Sequence, residues 1–267
     1  MNKDTNFSPD AGLVLDHVPA PRRVPLDAPW AWLAAGWRDM WRAPSLSLSY
    51  GAVFALAAAA LVLALWNTGA QSMFLAFAGG FLLIGPLIAV GLYEASRRLA
   101  RSEAVRLSDI ASAGFGARGQ LAFFGAVLLF VFLVWLQLAF LLMMLFLGTS
   151  GPPQPSEFLQ ALLFTPRGLG LLGVGLLVGG VIAALVFAMS AVAVPLLLVA
   201  HIDAISAARA SMVAVMRNPK PMALWAALIV VIMAAGFATL LVGLVVAFPL
   251  IGHATWHAYA DIYGSRD

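Results

Sequence analysis

Long apolar segments separated by short polar ones make up most of the chain after residue 44. An α-helix needs about 20 predominantly apolar residues to cross a hydrocarbon core of roughly 30 Å. The pattern therefore predicts an all-α, polytopic membrane protein with about six transmembrane helices, arranged as three hairpins. The predicted spans cover about residues 45–66, 73–93, 121–147, 169–200, 221–235 and 237–256.

The last apolar stretch is too long for one simple span. It runs for 32 residues from Pro221 to Gly252. As a single helix it would measure about 48 Å, well beyond the hydrocarbon thickness. We predict two short spans that turn near Gly236. A single tilted fifth span is the alternative.

A short amphipathic helix is predicted before each hairpin. In residues 28–42 one helical stripe is apolar, and Arg38, Asp39 and Arg42 lie elsewhere on the helix. The apolar stripe consists of Trp30, Leu33, Trp37, Met40 and Trp41. Tryptophan favours the membrane–water interface, so Trp30, Trp37 and Trp41 are predicted interfacial anchors.

The second and third surface helices are predicted at residues 108–118, with Ser108 as N-cap, and at residues 203–218. Between them, residues 148–168 are predicted to form the longest loop on the other side of the membrane.

Composition excludes a soluble globule. Of 267 residues, 63% are hydrophobic and only 10% are charged, whereas soluble domains carry roughly 25% charged residues. Cysteine is absent, which rules out disulfides and thiolate metal sites. Residues 1–28 are polar and proline-rich, and we predict a disordered cytoplasmic tail there. Residues 29–263 are predicted to form a single transmembrane domain.

The basic residues predict the orientation. With six spans, 14 of the 15 Lys and Arg residues lie on one side of the membrane, and Arg167 alone lies on the other. The positive-inside rule makes the basic side cytoplasmic. We therefore expect a cell inner (cytoplasmic) membrane protein with both termini in the cytoplasm. Its expected partners are the lipid bilayer and other membrane proteins, not nucleic acid.

A threefold repeat is suggested by one proline near the end of every second span. Pro86, Pro195 and Pro249 are predicted to kink these spans. Glu94, Asp203 and His257 each follow one of these prolines by eight residues. If the units are parallel, the three side chains share one depth near the cytoplasmic surface. They are the candidate polar cluster, for a cation or a partner's basic residue. The alternative is that each simply ends its span in water.

Other candidate chemistry is sparse. Gln137 and Ser190 are the deepest polar residues in the predicted spans, and we expect each to bond to a neighbouring backbone carbonyl. His253 and His257 are four residues apart on one helix face and are the only metal-ligand pair considered. An interfacial belt with Trp256 and Tyr259 explains them more simply, so no metal or cofactor is predicted.

Three segments carry a family resemblance: Gly36–Pro44, Ile84–Glu94 and Pro249–Tyr259. They resemble a family of bacterial integral membrane proteins catalogued only as a domain of unknown function, over about residues 28–262. The resemblance implies a membrane location and transfers no catalytic residue. Some members are labelled putative cytochrome c oxidase subunit. That label implies several buried haem-ligating histidines, and this chain has four His in total.

These observations favour a non-enzymatic scaffold, assembly or interaction protein of the membrane. A transporter or channel for a small or lipophilic solute is the alternative, and a haem- or metal-binding redox protein is the third hypothesis.

Overall fold

The computed structural model describes residues 18–113, 117–148 and 155–264, and this part of the chain is built from helices and their connections. The predicted tail lies mostly outside the described residues. The helices are α1 Ala28–Arg42, α2 Pro44–Asn67, α3 Phe74–Ile88, α4 Val90–Ala100, α5 Leu107–Ala111, α6 Arg118–Leu147, α7 Pro155–Phe164, α8 Pro166–Ser190, α9 Ala193–Val199, α10 Ala204–Arg217, α11 Pro219–Ala238 and α12 Leu244–Tyr263. A 3₁₀ turn, Gln71–Met73, precedes α3.

Five segments of the described chain are long and apolar enough to cross a membrane: α2, α3 with its preceding turn, α6, α8 together with α9, and α11. The prediction of an all-α polytopic membrane protein is confirmed. The helix α12 is not among the five, because its second half carries His253, His257 and Asp261. Whether α12 is a sixth span therefore stays a prediction.

The described ends of the chain meet at one end of the bundle. The Arg22 amide donates to the Ile262 carbonyl at 3.0 Å, and the Val24 amide donates to Asn218 Oδ1 at 2.9 Å. The Tyr263 hydroxyl donates to the Ala210 carbonyl at 2.8 Å. We call this the polar end; α1, α4, α5, α10 and the last turns of α12 lie there.

The opposite end, called the far end, is formed by three connections. A cavity of about 590 Å³ is lined there by residues of the α2–α3 connection, α7 and the α11–α12 connection. The chain thus runs from the polar end along α11 and turns back along α12, so residues 221–252 do not form one continuous helix. Whether the chain has five or six spans stays open between the two predictions.

The turn between α11 and α12 is misplaced in the prediction. It was expected near Gly236 but lies at residues 239–243, where Leu240 and Leu241 have positive φ angles. Gly236 instead lies inside α11. A methyl group on it would come 2.8 Å from the Leu244 side chain, so glycine at this position lets the two helices approach closely.

Three other boundaries differ from the predictions. The predicted loop 148–168 contains α7. Over the described part of the predicted surface helix 108–118, which excludes residues 114–116, the surface helix is α5. Arg106 rather than Ser108 occupies its N-cap position, and the Asp109 carboxylate accepts from the Arg106 amide at 3.1 Å. The third surface helix is α10, and the Asp203 carboxylate caps it as an N-cap residue does.

The three prolines act differently on their helices. The chain breaks at Ala89, three residues after Pro86, and at residues 191–192, shortly before Pro195. By contrast, α12 continues through Pro249. Proline there cannot donate to the Val245 carbonyl. Gly51 of α2 packs directly against that oxygen, where any side chain would clash.

Within the apolar layer, Trp135 of α6 is wedged between α3 and α8. Its indole N–H donates to the Ala76 carbonyl at 2.8 Å. A methyl group on Gly179 would lie 2.7 Å from the indole ring, and Gly80 packs as closely against Phe132. Not every glycine of α8 serves helix packing, since Gly175 has open space beside it.

Candidate functional site

A chain of polar side chains, all buried except the half-buried His257, links four helices at the polar end. It consists of Ser47 on α2, His253 and His257 on α12, Ser96 on α4 and Asp39 on α1. We call these five residues the Asp39 network. Sequence reasoning placed His257 elsewhere and did not select Asp39, Ser47 or Ser96.

Local features of α1 and α12 explain why their network residues point into the protein. On α1, Gly36 and Asp39 share the face that packs on α12, and a methyl group on Gly36 would lie 2.6 Å from the Ala254 amide nitrogen. The helix contact is close because Gly36 has no side chain. The two histidines are four residues apart, so α12 presents both to the same side.

The hydrogen bonds of the Asp39 network point toward the carboxylate. Asp39 Oδ2 accepts from Ser96 Oγ at 2.8 Å and from His257 Nε2 at 2.7 Å. Because the Ser96 hydroxyl donates its single proton to Asp39, it accepts from His253 Nδ1 at 2.7 Å. A neutral His253 then accepts from the Ser47 hydroxyl at Nε2, 2.9 Å away.

This arrangement of hydrogen bonds determines the charge state of Asp39. Burial by itself would raise the pKa of the Asp39 carboxyl, but the hydrogen bonds from His257 and Ser96 and the charge of His257 outweigh it. The pKa of Asp39 is therefore held below its ordinary value, and the group is a carboxylate at neutral pH. Arg42 adds a longer ion pair at 3.8 Å.

A tryptophan extends the contact between α1 and α12. Trp32 is buried, and its indole N–H donates to Asp261 Oδ2 at 3.0 Å. Its ring meets the buried Trp225 of α11 edge-to-face, with centroids 5.8 Å apart. Three helices thus converge on Trp32, which fixes α1 against the end of the bundle.

The exposed side of α1 carries the predicted anchors. Trp30, Trp37 and Trp41 are all exposed, and the last two rings contact each other at 5.6 Å. Met40 was placed on the same stripe, but it is fully buried against the protein. Asp39 was placed on the polar face and is buried as well, because the face that carries Gly36 turns toward α12.

A second polar feature is a cavity of about 610 Å³ between α4, α5, α6 and the α9–α10 connection. Glu94 and Asp203 both line it, together with Arg97, Arg98, Asp109 and Gln120. Two members of the predicted cluster are therefore brought to one cavity. His257 is not among the described residues that line it and belongs to the Asp39 network.

The charges around this cavity are largely paired. The nearly buried Glu94 carboxylate accepts from Arg97 at 2.7 and 2.8 Å and from Arg98 at 2.9 Å. Burial would raise the pKa of Glu94, but the two guanidinium groups hold it below its ordinary value. Asp203 accepts from the Ser206 hydroxyl and from two amides at the start of α10, which lowers its pKa.

The two histidines considered as metal ligands are already hydrogen-bonded. Both ring nitrogens of His253 contact serine hydroxyls, and Nε2 of His257 contacts Asp39. A metal ion at His253 would have to break one of these bonds. Haem or metal binding stays the third hypothesis, which a visible absorption spectrum of the purified protein would test.

Ser190 and Gln137, the two deepest polar residues of the predicted spans, differ in their hydrogen bonds. The Ser190 hydroxyl donates to the Val186 carbonyl at 2.7 Å, as predicted. Gln137 lies exposed on α6, and among the described residues no group hydrogen-bonds to its amide, contrary to the prediction.

Comparison with protein families supports the membrane assignment over the middle of the chain. Residues 73–199 match the family described as predicted integral membrane protein (DUF2189). The resemblance inferred from the sequence is confirmed over this narrower range. The DUF2189 segment runs from the start of α3 to the end of α9 and includes Glu94 and Ser96 but not Asp39 or His257. No curated protein and no solved structure matches the chain.

Of the network members that were not predicted from the sequence, only Asp39 has a recognisable sequence signal. A histidine pair four residues apart needs polar partners when its helix is buried. Asp39 is an acidic residue in a tryptophan-rich helix that also contains a glycine three positions earlier. That spacing indicates a close helix contact beside a buried charge. Ser47 and Ser96 carry no such signal, because serine is common in all settings.

Proposed function

We propose that this protein is a non-enzymatic scaffold of the cytoplasmic membrane that holds partner proteins at its polar end. The observation that supports the proposal is that the polar side chains link helices to one another. Asp39, Ser47, Ser96, His253 and His257 tie α1, α2, α4 and α12 together. Hydrogen bonds and ion pairs between helices build a fixed surface, which is what a binding platform requires.

The exposed tryptophans on α1 fit the same role. Trp30, Trp37 and Trp41 suit the headgroup region of a bilayer. With the opposite face of α1 fixed to α12, such an anchor would hold the platform at a constant depth. Partners in the cytoplasm would then meet one defined surface.

The cytoplasmic placement of the polar end rests on charge. Arg167, at the start of α8, is the one basic residue assigned to the other side of the membrane. A periplasm-active reporter fused after Asp267 should give no signal, and one inserted at residues 67–70 should give a strong one. The reverse pattern would contradict the orientation.

The scaffold proposal is tested by quantitative isolation of the full chain at its native level. The tagged protein would be extracted into lipid nanodiscs and its co-purifying proteins measured by mass spectrometry. We expect a partner in constant stoichiometry, which is reduced by Asp39→Ala and retained by Asp27→Ala. Asp27 is an exposed residue at the start of α1 without a side-chain cap. Purification of the chain alone under all conditions would overturn the proposal.

A second candidate, transport of a lipophilic solute, is favoured by the far-end cavity. Its volume is about 590 Å³, and its lining is mainly apolar, including Leu75, Phe158, Phe237 and Leu241. Native mass spectrometry of the purified chain should then show one bound species of constant mass. Leu75→Trp, which narrows the cavity, should remove that species, whereas Leu56→Trp on the exposed face of α2 should not.

A further inference from the structure

The longest helix of the described chain turns an apolar face away from the rest of the protein. Its exposed large side chains follow one side of α6 and include Phe130, Leu133, Val134, Phe140 and Leu141. Lipid would cover such a face without difficulty. Apolarity by itself therefore indicates no partner.

One residue of this face does not suit lipid. Gln137 is exposed at the centre of that row, with Val134 one turn before it and Leu141 one turn after it. The apolar residues 121–136 precede it and 138–147 follow it. Because side chains on a helix lean toward its N-terminus, Gln137 leans toward the membrane interior and not toward the nearer, far end.

Gln137 lies inside the apolar run of α6, one of the candidate membrane spans. Trp135, half a turn earlier, donates to the Ala76 carbonyl in the first turn of α3. The hydroxyl of Ser190, another polar group within a candidate span, also donates to a backbone carbonyl, that of Val186. Among the described residues none hydrogen-bonds to Gln137, and an unpaired amide in hydrocarbon costs several kcal/mol.

We propose that the exposed face of α6 binds the same face of a second copy of this chain, with the two Gln137 amides hydrogen-bonded to each other. The choice of partner follows from chemistry and symmetry. An amide carries both donor and acceptor groups, so it complements itself. Two copies inserted with the same orientation are related by a twofold axis along the membrane normal, which places each Gln137 opposite its equivalent at the same depth.

This dimer goes beyond the scaffold proposal and does not depend on it. The α6 face lies away from the Asp39 network, and none of the contacts that tie α1 to α12 involves α6. Loss of the dimer and loss of partner binding at the polar end are therefore separate outcomes.

The absence of cysteine makes the test direct, because single cysteines can be introduced without a background. Val134→Cys and Leu141→Cys place a thiol one turn on either side of Gln137. After oxidation in native membranes, both should give a disulfide-linked dimer. Leu56→Cys and Leu185→Cys, at exposed positions of α2 and α8, should stay monomeric.

The amide is tested by adding Gln137→Leu to the Val134→Cys protein. This change suits a lipid-facing position and should leave the fold intact. We expect the cross-linked fraction to fall about threefold or more, since one interhelical hydrogen bond in a membrane contributes roughly 0.6 kcal/mol. Gln137→Asn keeps the amide and should retain most of the dimer.

Three results would overturn the proposal. The first is no cross-link from either α6 cysteine. The second is an unchanged cross-linked fraction in the Gln137→Leu protein. The third is cross-linking of the α6 cysteines to a different protein, which would assign the face to another partner.

Discussion

In a soluble protein the most apolar helix is buried and a more polar helix is exposed. The helices α6 and α12 show the reverse. Only 11% of the most apolar window of α6 is buried inside the molecule, although α6 is a nearly unbroken apolar run. In α12, 13 of 20 residues are buried, including His253, although this helix is more polar than the five candidate spans. In a bilayer the solvent is hydrocarbon, so polar groups gain most from burial in protein and apolar groups gain little.

The contrast also explains where glycine is required. Between α1, α2 and α12 the backbones are in contact, and a methyl group at Gly36 or Gly51 would meet backbone atoms of α12. On α8, a methyl group at Gly173 or Gly175 would meet nothing within 4 Å. Small residues therefore determine packing where α1 and α2 contact α12, while on α8 several of them do not.

The largest expected effect is that of Asp39→Ala. It leaves the donors of the buried Ser96 and the half-buried His257 without their acceptor, and removal of one partner of a fully buried ion pair costs about 3–5 kcal/mol, which is the upper limit here. The free energy of unfolding would be measured by titration with sodium dodecyl sulfate in mixed micelles. Asp27→Ala, in the same segment but exposed, should change it by less than about 0.5 kcal/mol. Equal effects of the two variants would mean that the Asp39 network does not hold α1.

Much of the fold could be predicted from the sequence because the length of an apolar run depends only on the bilayer thickness. The positions of α2, α6 and α10 follow closely from that pattern and from Asp203 as N-cap. The turn at residues 239–243 could not be placed, because Leu240 and Leu241 are no different in type from the helical residues around them.

The candidate site was harder to predict for a related reason. The proline spacing brought Glu94 and Asp203 to one cavity, yet His257 lies in another network. Which face of α12 carries a partner depends on how α1 crosses it. That crossing is set by the close contact at Gly36 and by the bond from Trp32 to Asp261. Neither is visible before the helices are packed.

The second prediction concerns the loss of folding stability at low pH. The pKa of Asp39 in the folded protein lies below its ordinary value of 3.8, so its contribution to stability is present above about pH 4 and is lost as the pH falls through the lower, folded value. His257 and His253 are the imidazole groups that face this carboxylate. The unfolding temperatures of the native protein and of Asp39→Asn should differ at pH 6, and the difference should shrink as the pH falls below about 4.

A difference that persists unchanged to pH 3 would show that Asp39 is not the titrating group. Glu94 also has a lowered pKa, through Arg97 and Arg98, and contributes to acid sensitivity in both proteins alike. Comparing the native protein with Asp39→Asn therefore removes its contribution.

The third prediction uses the glycines of the two regions. Gly36→Ala places a methyl group 2.6 Å from the Ala254 nitrogen, and overpacking of this kind costs about 1–3 kcal/mol. Gly175→Ala adds the same group where space is open, and alanine favours a helix over glycine by up to about 1 kcal/mol. The two variants should therefore change the free energy of unfolding in opposite directions. Destabilisation by Gly175→Ala would show that this face of α8 is covered in the membrane.

The smallest expected effect is in the apolar layer. Trp135→Phe keeps an aromatic ring between α3 and α8 but removes the N–H that donates to the Ala76 carbonyl. A hydrogen bond between membrane helices averages about 0.6 kcal/mol and reaches about 1.7, because the unfolded helices also find partners in the bilayer. The same detergent titration should show a loss in this range, and Trp66→Phe, at an exposed position, should show none. A loss as large as that of Asp39→Ala would remove the contrast between the two regions. It would mean that polar contacts hold the apolar layer as firmly as they hold the polar end.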